Sequence, residues 1–168
     1  MIKSLATCCL ALVVAAPAVA DVLVEFREGA PKDRFTITGL GDCPVGRSEV
    51  TIDLSGSAAG LIFDVTGSGA GVEVFQPYEQ VSGQGSLLEA TQVQDGDESI
   101  TLTFSDLAEG VAAAFTIDVD DTAGGREITV SGSEIIGASV RVQNELGQFE
   151  AEFNADGAAL VNMDGCLS

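Results

Sequence analysis

A chain of 168 residues with 26 acidic against 7 basic side chains, no His and no Trp, carries a formal charge of −19. Such a charge repels nucleic acid and anionic membrane surfaces and draws in cations; its plain consequence is solubility, or tolerance of a salty medium. Without His, the common nucleophile–base pairs and the usual zinc shell are both excluded.

Residues 1–20 read as an export signal. Lys3 lies near the start, an apolar run spans Leu10 to Ala16, and Ala18-Val19-Ala20 before Asp21 is the small-x-small pattern that a signal peptidase cuts after. Cys8 and Cys9 precede the apolar run, the wrong order for a bacterial lipid-anchor site. The run also falls short of the roughly 20 apolar residues that span a bilayer, and Pro17 favours cleavage. The expectation is a secreted or periplasmic protein with no membrane span after signal removal and a single domain over 21–168. Taking 20 residues from 168 leaves 148, and the loss of Lys3 makes the mature chain one charge more negative than −19.

From Asp21 onward the chain is a series of short runs of alternating polarity, broken by Gly, Asp and Ser. Val22, Val24 and Phe26 share one face against Leu23, Glu25 and Arg27; Phe35 and Ile37 follow; then Val50 to Leu54, Leu61 to Val65 and Val72 to Phe75. Gly67-Ser68-Gly69-Ala70-Gly71 reads as a tight hairpin, because a phosphate-cradling loop needs a following helix and a nearby Lys. The stretch from Gln80 to Asp97 is poor in apolar anchors and reads as a mobile loop.

Ile100, Leu102 and Phe104 alternate with Thr101 and Thr103, and Phe115, Ile117 and Val119 with Thr116 and Asp118. Between them, Asp106 to Ala114 is the one place for a helical turn, weakened by Gly110. Ile128 with Val130, Ile135 to Val142, Phe149 to Phe153 and Ala158 to Met163 complete the pattern. The fold class predicted is all-β, an antiparallel jelly-roll-like β-sandwich of about ten strands, each strand with one apolar and one polar face.

Cys43 and Cys166 are the two cysteines of the mature chain. In an exported protein without a Cys-x-x-Cys pair, they predict one structural disulfide tying the end of the chain to a turn near its start.

Chemistry is sought first at Asp118-Val119-Asp120-Asp121. On an extended strand Asp118 and Asp120 point to the same face, and a turn would bring Asp121 beside them, offering hard oxygen ligands for calcium. The competing reading is a solvated acidic turn. Asp95-Gly96-Asp97-Glu98 is a second, weaker candidate on the same logic, and Asp33 stands apart from both clusters as a control position. Tyr78, beside Pro77 in a predicted loop, is the one aromatic placed for glycan contact, since the Phe residues fall mostly at core-facing positions. A carboxylate pair across a cleft can cleave glycosides, but among 26 acidic residues chance pairs are inevitable, so no catalytic residue is assigned and no enzyme is expected.

Three stretches carry a resemblance: Ile52-Asp53-Leu54-Ser55-Gly56-Ser57-Ala58-Ala59-Gly60-Leu61-Ile62-Phe63-Asp64, then Gly69-Ala70-Gly71-Val72-Glu73-Val74-Phe75-Gln76-Pro77, and Phe115-Thr116-Ile117-Asp118-Val119-Asp120-Asp121-Thr122. In their phrasing the chain resembles secreted bacterial proteins named after the core protein of the sponge aggregation factor. The resemblance implies a secreted, non-enzymatic adhesion or extracellular-matrix type protein that self-associates or engages cell-surface components. The acidic surface adds the expectation of calcium assistance. The alternative is a glycan-binding or glycan-cleaving secreted domain using Tyr78 and a carboxylate pair.

Overall fold

A computed structural model describes residues 19–41, 43–71, 75–123, 130–163 and 165. Within them the fold is all-β: β1 (Ala20–Arg27), β2 (Asp33–Gly41), β3 (Ser48–Asp53), β4 (Ile62–Asp64), β5 (Glu79–Ser82), β6 (Leu87–Ala90), β7 (Ser99–Phe104), β8 (Ala112–Asp120), β9 (Ser139–Asn144), β10 (Gly147–Glu152) and β11 (Ala158–Val161). One antiparallel sheet runs β11-β1-β2-β8, and the far edge of β8 is shared by β5 and β4; the other sheet runs β10-β9-β3-β7-β6. No helix among the described residues is long and apolar enough to cross a membrane.

The period-2 pattern read from the sequence is what packs the sheets. Val22, Val24 and Phe26 of β1, Phe35 and Ile37 of β2, Val50 and Ile52 of β3, and Ile100, Leu102 and Phe104 of β7 are all buried in one core. Phe35 sits at its aromatic centre, 5.1 Å from Phe26, 6.5 Å from Phe63 and stacked on Phe115 at 5.1 Å. Side chains of this size contribute roughly 1.5–3 kcal/mol each on full burial.

The sandwich has one closed and one open side. β10 and β11, from different sheets, lie against each other, whereas β5 and β6 flank a groove. Both fall in the stretch expected to be a mobile loop. Each strand is four residues long, on a sheet edge and largely exposed, so no apolar alternation marks it in the sequence. Of the expected Val72 to Phe75 strand, Phe75 is exposed and outside any strand, and the other three lie outside the described residues. Ile135 is buried within a turn, the strand after it beginning at Ser139.

Cys43 packs against the core, and Cys166 lies outside the described residues. Non-reducing peptide mapping of the exported protein should recover Cys43 crosslinked to Cys166. Replacing Cys166 with Ser should then cost about 2–4 kcal/mol in chemical denaturation; two free thiols would remove the pairing.

Candidate metal centre

β8 carries the chemistry because it faces two ways. Phe115, Ile117 and Val119 point into the core, so the alternation turns Asp118 and Asp120 to the opposite face, which in a sandwich of this kind is ordinarily wet. Here that face is covered, leaving Asp118 7% and Asp120 3% exposed. β4 pairs with this half of β8, placing Asp64 directly across from Asp118 and Ile62 across from Asp120. The Gln76 amide donates to the Asp64 carbonyl at 3.3 Å, and the Gln76 carbonyl accepts from the Asp118 amide at 3.1 Å. On the other edge of β4, the Phe63 amide donates to the Asp97 carbonyl and the Gly96 amide to the Phe63 carbonyl, both at 2.9 Å.

One carboxylate oxygen from each of Asp64, Asp118 and Asp120 lies within 4.8 Å of the other two. Asp64 is 0% exposed, and neither of its oxygens has a hydrogen-bond donor. Its neighbours are the carboxyls of Asp95 and Asp120, so a hydrogen bond between them requires a proton on one partner. Like charges placed directly opposite on paired strands are destabilising. The ion pairs among the described residues, Arg27 with Glu25, Lys32 with Glu79 and Arg141 with Glu150, do not involve Asp64.

Burial, reinforced by Asp95 and Asp120, pushes the Asp64 carboxyl up to about 8. Burial and then Asp120 push Asp118 up to about 7. Asp33 is also raised to about 7, its burial outweighing amide hydrogen bonds from Gly29 (3.1 Å) and Val119 (3.0 Å), with Asp118 and Asp120 adding to the rise. For Asp95 burial again acts upward, but it is outweighed by the Asp64 hydrogen bond and by three amides, from Val65 (3.1 Å), Thr66 (3.2 Å) and Ala70 (2.8 Å), and the carboxyl ends below its usual range.

The glycine-rich stretch from Gly67 to Gly71 lies against two of these acids. A Cβ on Gly71 would collide with the Asp64 carboxyl, and one on Gly69 with the Asp95 carboxyl. Gly71→Ala should therefore destabilise the mature protein by about 1–3 kcal/mol, measurable as a lower denaturation midpoint. An unchanged midpoint would mean that the hairpin does not press on Asp64.

The donor set is all hard oxygen, which suits calcium at 2.3–2.6 Å rather than a thiolate- or imidazole-seeking metal. Three oxygens within 4.8 Å of one another lie at most about 2.8 Å from a common point, so a shift of a few tenths of an ångström brings all three to calcium distance.

Asp118 and Asp120 thus meet as their alternation predicts. Asp121 follows the end of β8, buried with Oδ1 unpartnered, and is not one of the three acids grouped there. Asp64 takes part instead; the signal that marks it is an acid ending the all-apolar run Leu61-Ile62-Phe63. The second acidic stretch lies next to the first, with Asp95 beside Asp64. Asp97 closes its own turn by accepting from the Gln94 amide at 2.7 Å, and Glu98 is exposed. Asp33 is unsuitable as a control, because it is buried and interacts with Asp118 and Asp120. Tyr78 is half-buried, its ring 5.1 Å from that of Phe115.

Comparison with family models, curated proteins and solved structures finds no match to this chain.

Proposed function

We propose that this is a secreted, non-enzymatic β-sandwich module of adhesion or matrix type, whose fold is completed by a calcium ion held by Asp64, Asp118 and Asp120. The observation that carries the cation is Asp64, fully buried with both carboxylate oxygens lacking a donor and facing other acids. Buried charges in proteins are paired or coordinate metals, and none of the ion pairs among the described residues involves Asp64. The secreted assignment rests on the signal-like residues 1–20, and the adhesion assignment on the resemblance to aggregation-factor core proteins.

Because all three carboxylates are buried, this ion acts within the domain. It holds β4, the glycine hairpin and the turn at Asp95 onto β8, and does not bridge two molecules. Attachment to cells therefore follows from a correctly closed domain. The test is binding of the mature protein to its producing cells, with light scattering alongside, in calcium and in chelator at matched ionic strength. Attachment should fall in chelator and return with calcium, while Asp64→Asn should respond to neither. Equal attachment and scattering under all conditions would remove the calcium-assisted adhesion reading and leave a structural role without ligand.

A further inference from the structure

Where the two sheets part, a groove of about 490 Å³ runs between the edge strands β5 and β6, within the range of roughly 300–1,000 Å³ typical of small-molecule sites. Thr66, Gln80, Thr91 and Gln92 give it neutral groups that both donate and accept hydrogen bonds, and Glu89 is the one carboxylate. Among the described residues lining it there is no Lys or Arg. The Tyr78 ring is fixed against Phe115 at 5.1 Å, and its hydroxyl is buried out of reach of a guest in the groove. Leu88, 54% exposed, and Pro77 supply apolar surface beside these polar groups.

We infer that this groove binds a neutral glycan chain. A ligand with many hydroxyls and apolar C–H faces matches a lining of uncharged amides and hydroxyls interleaved with aliphatic surface. Anionic ligands are disfavoured by Glu89 and by a chain charge of −19. An extended peptide adding to either sheet is disfavoured as well, because the strand register shifts between Gln80 and Ser82 in β5 and between Leu87 and Glu89 in β6. Such bulges break the row of backbone donors and acceptors that a guest strand needs. The inference goes beyond the calcium reading and does not rest on it, since none of Asp64, Asp118 and Asp120 lines the groove.

The experiment is native affinity electrophoresis of the mature protein in gels containing a β-1,3-glucan, a β-1,4-glucan, an α-mannan or a galactan, with alginate as the anionic comparison. At least one neutral polymer should retard the protein, alginate should not, and added sodium chloride should leave the retardation unchanged. Gln80→Ala and Gln92→Ala, which each remove an amide from the lining, should each weaken the retardation about five- to tenfold, the worth of one hydrogen bond. The inference is overturned if no neutral polymer retards the protein, if salt abolishes the effect, or if both variants bind as the parent does. Melting with and without calcium on the same samples separates the two readings. Calcium stabilisation without retardation sinks the groove alone, and retardation without calcium stabilisation sinks the cation site alone.

Discussion

Calcium at about 10 mM, added at fixed ionic strength, should raise the melting temperature of the mature protein by about 3–10 °C. Extracellular calcium sites bind at about 0.1–1 mM, so the mass-action gain is roughly 1.4–2.7 kcal/mol if the unfolded chain does not bind. For a domain of this size each kcal/mol shifts the midpoint by about 2–4 °C. Asp64→Asn should abolish the gain, because Asp64 is the fully buried member of the triad. Asp120→Asn should reduce it strongly. Glu145→Gln, at an exposed position outside the site, removes one negative charge and should leave the gain intact. Equal shifts in all four proteins would show general screening of charge and would remove the site.

The metal-free protein should lose stability as pH rises from about 4 to about 8. In the unfolded chain these carboxyls titrate near 3.8, whereas folded Asp64 is raised to about 8 and Asp33 and Asp118 to about 7. Between those limits the folded state holds protons that the unfolded state has released, so stability is highest below the unfolded value and declines as pH climbs through the folded values. In chelator the melting temperature at pH 8 should therefore lie well below that at pH 5. Calcium at pH 8 should restore most of the difference, since a bound cation replaces the protons. Asp64→Asn sharpens the test by giving opposite signs. At pH 8 it should stabilise the metal-free protein by removing a buried charge and destabilise it relative to the calcium-loaded parent. A flat pH profile in chelator would show that the cluster carries no uncompensated charge.

The strands of the core were legible in the sequence because each buries one face: Val22, Val24 and Phe26 announce β1, and Ile100, Leu102 and Phe104 announce β7. The edge strands β5 and β6 bury too little to leave such a pattern. Two of the three acids of the candidate site were equally plain, since Asp118 and Asp120 share a face by alternation alone. Asp64 was not, because its part depends on the register that sets it opposite Asp118, a long-range property that local periodicity does not encode. Asp33 misled for the same reason: on the page it is an acid after Pro31-Lys32, and only the pairing of β2 with β8 brings it under Asp118 and Asp120.

Asp64 and the acids of β8 are distant in the sequence and meet only when the three-residue strand β4 has docked. An ion held by all three therefore cannot bind to a chain whose β4 is still free, and it adds nothing to the early encounters that nucleate the sandwich. Its influence would fall on the rate of escape: calcium bound at the proposed site would lengthen the lifetime of the native protein by slowing unfolding, while the speed of folding would stay nearly the same. On the proposed secreted reading, with proteases sampling each opening, that lifetime would set how long the protein persists.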